Sequence, residues 1–162
     1  MVGRVFSIQV SGGGVPKGAV DQAIVGIDGL VGDGHDDKVN HGGPDRAVCL
    51  YSLERIRVLR AEGHPVAPGT MGENITLEGL DSADVIPGDR LQVGDIEIEV
   101  TDFATPCKTI RDSFIDGGFS RVLHRRHPGD SRLYARVLRG GTIRRGDPVT
   151  LAAPAAQGEA GA

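Results

Sequence analysis

The 162-residue sequence predicts a mainly β fold with a few helices, a closed or partly closed β-barrel. Short runs of alternating apolar and polar residues predict it first, since period two is the signature of a half-buried strand. Turn signals at close spacing predict it second: Gly-Asp recurs at 32, 88, 94, 129 and 146. The 25 glycines are the third observation, about twice the usual share of roughly 7%. So many glycines suit tight turns and places where backbone approaches a neighbour closely.

Taken in order, Arg4 to Val10 alternates, with Phe6, Ile8 and Val10 on one face and Ser7 and Gln9 on the other. Ser11-Gly12-Gly13-Gly14-Val15-Pro16-Lys17 is a turn, and Ala19 to Ile27 reads as the second strand. Residues 28–46 form a polar, glycine-rich stretch without periodicity, too long for an idle connection in a compact domain. Ala47-Val48-Cys49-Leu50-Tyr51 follows as a buried strand, which makes Cys49 a core residue. Ser52 is placed to cap a helix through Ala61, with Leu53, Ile56, Leu59 and Arg60 at helical spacing and Gly63 closing it.

After the bend at residues 68–74, strands are expected at 75–77, 91–93 and 96–100, the last apolar on one face and acidic on the other. Thr105 suits an N-cap and Pro106 a first helical position, so Cys107 is expected in the first turn of a helix. A second helical stretch is expected near Phe119 to Arg126, rich in Arg and His. Strands at 133–138 and on either side of Gly146-Asp147-Pro148 complete a single domain over residues 1–151. The Ala, Pro, Gln and Gly composition of residues 152–162 reads as a disordered C-terminal tail.

Composition narrows the function classes. A formal net charge of -4, 4% aromatics and no Trp argue against a general nucleic-acid or membrane-surface binder. No apolar run approaches the ~20 residues of a membrane span. Two cysteines and no signal-peptide layout give the expectation of a reducing cytoplasm with both thiols unoxidised.

Cys107 is the first chemical candidate. A thiol at the positive end of a helix, with Lys108 and Arg111 within a turn, has its thiolate favoured, and the thiolate is the nucleophile and soft-metal ligand. Cys107, His41 and Asp45 supply the residue types of a cysteine-hydrolase arrangement. His35, His41, Asp33, Asp36, Asp37 and Asp45 supply metal-ligand types in one loop, at a spacing that matches no compact ligand set. Lys17, Arg46 and the glycine-rich turns supply what a bound phosphate or pterin phosphate needs. Asp33 and Asp45 serve equally as turn-locking residues through side-chain-to-backbone bonds.

His41-Gly42-Gly43-Pro44-Asp45-Arg46-Ala47-Val48, preceded by Gly29-Leu30-Val31-Gly32-Asp33, resembles the signature of MOSC domains, which are related to the C-terminal part of molybdenum-cofactor sulfurase. Residues 68–76, Pro87-Gly88-Asp89 with Val93-Gly94, Pro106-Cys107, and the segment from Tyr134 to Asp147 resemble further blocks in family order. The resemblance spans roughly residues 3 to 151. It implies a barrel with a pocket ending at Cys107. There Cys107 would either carry persulfide sulfur or ligate the molybdenum of a bound molybdenum cofactor (molybdopterin). The carrier receives sulfur from a pyridoxal-phosphate (PLP) dependent cysteine desulfurase and passes it to a molybdenum-cofactor enzyme or a small-molecule acceptor. The molybdenum protein reduces N-hydroxylated substrates. A non-catalytic pterin- or anion-binding module is the third possibility.

On this reading Cys107, His41 and Asp45 are the catalytic candidates. Lys17, Asp33, Gly42, Gly43, Arg46, Glu73, Asn74, Lys108 and Arg111 are the cofactor-binding candidates. No PLP site is expected in the chain itself. The segment before Pro106-Cys107 lacks the arginine some relatives have there, a loss that Lys108, Arg111 or Arg46 would have to offset.

Overall fold

The computed structural model describes residues 2–34 and 43–152. Eleven strands, one α-helix and five short 3-10 segments make up these residues. Seven strands close a barrel: β1 (Val2–Val10), β11 (Pro148–Leu151), β7 (Arg90–Val93), β8 (Ile96–Phe103), β9 (Leu133–Arg139), β5 (Val48–Ser52) and β6 (Ile75–Glu78). The ring returns from β6 to β1, and every pairing is antiparallel except β5 with β6. β2 (Gly18–Val20) extends the ring beside β1. β3 (Gln22–Gly26), β4 (Gly29–Leu30) and β10 (Gly141–Arg144) form a separate small sheet.

The expected second strand is thus two strands divided at Asp21, one in each sheet. Only one Gly-Asp pair, Gly94-Asp95, makes a two-residue hairpin, joining β7 to β8. Gly146-Asp147 instead carries the chain from the small sheet into the barrel.

Two apolar cores organise the molecule. Inside the barrel, Ile8, Leu50, Ile75, Leu77, Leu91, Ile96 and Ile98 are wholly buried. Beside it, α1 (Leu53–Ala61) buries Leu53, Ile56 and Leu59 against Tyr51, Met71, Ile110 and Phe114. The expected single apolar face on β1 is divided between these cores. A register shift between Val5 and Ser7, where β1 pairs β6, breaks the period-two alternation. Val5 and Ile8 therefore enter the barrel, while Phe6 packs on the helical core.

Ser52 occupies the N-cap position of α1 but makes no cap bond. Its hydroxyl donates to Asp81 Oδ1 at 3.0 Å and lies 2.9 Å from the Ser82 hydroxyl. The expected helix over 119–126 reduces to a 3-10 segment, Phe119–Val122. Arg121 there bonds both oxygens of Glu62, at 2.8 and 2.7 Å, and Asp130 at 2.6 Å. The Arg121 hydrogen bond lowers the Glu62 pKa.

The segment carrying Cys107 also differs from expectation. β8 reaches Phe103, and the Ala104 N–H still donates to Arg132 O at 2.9 Å, so the chain stays extended past the strand. Cys107 is itself the extended N-cap residue (φ -138°, ψ 175°) of the 3-10 segment Lys108–Ser113. A six-residue 3-10 segment aligns few peptide dipoles, so the helix-dipole argument for Cys107 lapses. The expected tail beyond Ala152 lies outside the described residues.

Candidate functional site

Strand pairing at one rim of the barrel brings the site together. Cys49 on β5 lies opposite Tyr134 on β9. The Asn74 N–H, just ahead of β6, donates to Cys49 O at 2.8 Å, and the Gln9 N–H donates to Asn74 O at 2.8 Å. Arg132, one residue before β9, is tied through its carbonyl to Ala104, three residues before Cys107. Residues distant in sequence thus border one small, solvent-open cavity of about 90 Å³.

Cys107 and Cys49 both line this cavity, and neither is in a disulfide. Cys107 is half-buried, and its thiol donates to the Thr109 hydroxyl at 3.2 Å. Cys49 is a core residue, as expected, clustered with Ala104 and Tyr134. Burial pushes its thiol up to about 11. Tyr134 is raised to about 12, by burial first, so it stays a neutral phenol in the physiological range. The Arg46 guanidinium stands over its ring at 5.5 Å. Val15, Met71 and Ile110 supply apolar wall.

Of the sequence candidates, Cys107, Lys17, Arg46 and Asn74 line the cavity. Lys17 is engaged: its Nζ lies 2.7 Å from each oxygen of Asp33, and the two side chains are only 7% and 2% exposed. Asp33 also accepts from the Ser11 N–H at 3.1 Å and from Asn74 Nδ2 at 2.9 Å. Asn74 Oδ1 in turn accepts from the Cys49 N–H at 2.9 Å. This buried network locks the loop 11–17 and the segment after β4 against the rim. Asp33 acts here as a positioning residue.

Glu73 is wholly buried behind the rim. It accepts from the Gly69 N–H and the Thr76 hydroxyl, each at 3.0 Å. Burial raises its carboxyl to about 7. Gly69 must be glycine: its φ is +89°, and a Cβ would come within 2.4 Å of Lys17 O. Gly43 precedes the 3-10 segment Pro44–Arg46 and, like Asp45, is exposed. Asp45 lies 3.9 Å from Arg136, and its carbonyl accepts from the Thr101 hydroxyl. Lys108 and Arg111 are exposed on the 3-10 segment and do not line the cavity. His35, Asp36, Asp37, His41 and Gly42 lie outside the described residues. Among the described residues, no three His, Cys, Asp or Glu side chains gather to hold a metal ion.

Sequence reasoning missed Arg132. It is 4% exposed and lines the cavity, with Nη1 donating to Met71 O at 2.9 Å and Nη2 to Thr105 O at 3.4 Å. A lone arginine ahead of an apolar strand reads as a surface charge. Only the pairing of its carbonyl with Ala104 turns it inward.

A closed seven-stranded barrel with a thiol-lined pocket at one rim defines the class of protein. The chain belongs to the MOSC domain family, whose sequence profile matches residues 37–150. It is 34% identical over 113 residues to the uncharacterized protein YflK of Bacillus subtilis, covering 69% of this chain and 50% of that one. It is 33% identical over 90 residues to the protein YiiM of Escherichia coli, covering 53% of this chain and 40% of that one. The chain therefore spans half or less of the length of these relatives. The crystal structure of YiiM from Geobacillus stearothermophilus superposes with a TM-score of 0.70 at 26% identity, over 93% of this chain and 75% of that one. The YUAD protein of Bacillus subtilis superposes with a TM-score of 0.70 at 17% identity, covering 92% and 94%, which shows the shared fold.

Proposed function

We propose that this MOSC protein is a sulfur carrier, with Cys107 holding sulfane sulfur as a persulfide. The observation that carries the reading is a half-buried thiol in the wall of a solvent-open pocket, outside any disulfide. In loading, the Cys107 sulfur attacks the terminal sulfur of a donor persulfide, and the donor's S–S bond breaks. The donor leaves as a thiol carrying the proton lost by Cys107. In unloading, an acceptor nucleophile takes the terminal sulfur and Cys107 regains its proton. The donor would be a PLP-dependent cysteine desulfurase in the cytoplasm. The acceptor would be a molybdenum-cofactor enzyme or a small molecule.

A second reading has its own support. The donor set suits a cofactor that brings its own metal ligands: Cys107 offers one soft donor to a solvent-open pocket, and Arg132 Nε is buried with no partner among the described residues. Cys107 would then ligate molybdenum, with Arg46 and Arg132 holding the cofactor. Bound there, the group would supply two-electron reduction of N-hydroxylated substrates.

Incubation with a cysteine desulfurase and cysteine, followed by intact mass, tests the carrier. The wild type should gain one sulfur atom and Cys107→Ser none. No gain, or equal gain by both, overturns it. Metal and pterin analysis of the purified protein decides for or against the second reading. Ligand binding that survives Cys107→Ser, without any sulfur loading, would leave a binding module.

A further inference from the structure

Two cations at the cavity, Lys17 and Arg132, differ in how their charge is met among the described residues. Lys17 is matched by Asp33 through both carboxylate oxygens. Arg132 has no such match: among the described residues no carboxylate oxygen lies within 4.0 Å of its guanidinium, whose two bonds go to backbone carbonyls. Its Nε is buried without any hydrogen-bond partner. A buried guanidinium is costly unless an anion shares the site, and its planar fork suits a two-oxygen partner. Glu73 is a poor counter-charge, since it is bonded to Gly69 and Thr76 instead. Arg132 also donates to Thr105 O, two residues from Cys107, which sets the cation beside the thiol's own segment.

We propose that Arg132 is the anion receptor of the Cys107 pocket, taking a carboxylate or phosphate oxyanion on the molecule that meets the thiol. The orphaned Nε and the unused N–H bonds on the two Nη atoms form the receiving edge. Val15, Met71, Ile110 and the Tyr134 ring take the apolar body of that molecule. The ligand class is a small organic oxyanion. Its relevance to turnover rests on Cys107 being the working thiol, but the binding itself needs no sulfur chemistry.

Two alkylating reagents of nearly equal size, anionic iodoacetate and neutral iodoacetamide, probe the site. In a Cys49→Ala background only Cys107 remains to react, and the ratio of the two rates reports anion recognition. Arg132→Met should lower the iodoacetate-to-iodoacetamide ratio roughly tenfold or more, the scale of a lost charge-assisted hydrogen bond. Removing the exposed arginine at 125 (Arg125→Met) should leave the ratio within about twofold, the small effect of a screened surface charge. At constant ionic strength, inorganic phosphate or acetate should slow the iodoacetate reaction of the wild type, and the stronger competitor identifies the oxyanion. An unchanged ratio in folded Arg132→Met overturns the proposal. Should that variant fail to fold, lack of protection of the wild type by either anion overturns it instead. Failure of sulfur loading with an Arg132-dependent ratio would sink the carrier reading and leave this one standing.

Discussion

Glu73 is a carboxyl with no exposed surface and, among the described residues, no cation bonded to it; one backbone N–H and one hydroxyl hold it. Its pKa is raised by burial from 4.5 to about 7. The folded state therefore binds the proton more tightly than the unfolded chain. Stability is greatest below about 4.5 and falls as pH rises to about 7, after which this contribution is constant. The fall is on the order of 3 kcal/mol. Glu73→Gln keeps the acceptor for Gly69 and turns a donor toward Thr76, as the protonated acid does. Urea unfolding across this window should show a decline for the wild type and a flatter profile for Glu73→Gln. Equal slopes would show that Glu73 does not titrate there. From sequence, Glu73 reads as a cofactor-binding candidate in a glycine-rich bend; its burial was not legible, because desolvation is a property of the packed rim.

The loop 11–17 and the segment after β4 are bound to the rim by Lys17 and Asp33, a buried pair. Removing one partner strands a buried charge at about 3–5 kcal/mol, whereas removing both costs much less. Lys17→Met should therefore destabilise strongly, and Lys17→Met with Asp33→Leu should recover part of the loss in a double-mutant cycle. Additive effects would deny the coupling. The sequence marked both residues as site candidates, but as an anion contact and a cofactor residue; their mutual distance is set by folding. Element boundaries show the same division. The buried strand at 47–51 and the helix at 53–61 were legible from apolar run and period. The division of the apolar face of β1 was not, since a bulge depends on the partner strand's register. The helix expected at Pro106 failed because the Ala104–Arg132 bond holds that chain extended.

At the scale of the molecule, closure of the ring sets how deeply each thiol is buried. β5 is a wall of the barrel with all five residues buried, so Cys49 is presented from inside a strand. Cys107 follows β8 on an extended connection and sits half-buried at the cavity. The barrel itself was legible in the sequence through alternation, turn spacing and the resemblance to MOSC domains. The position of Arg132 and the shared cavity of the two cysteines were not, because they arise from pairings between distant strands.

The central claim is that Cys107, and not Cys49, is the working thiol. A brief pulse of neutral iodoacetamide on the folded wild type, read by peptide mass, compares the two directly. Burial lifts Cys49 from 9.0 to about 11, which alone lowers its thiolate fraction about 100-fold against an ordinary thiol at neutral pH. Cys107 should be labelled at least about 100-fold faster, with Cys49 reacting only after denaturation. Labelling of Cys49 at an equal or greater rate would contradict it.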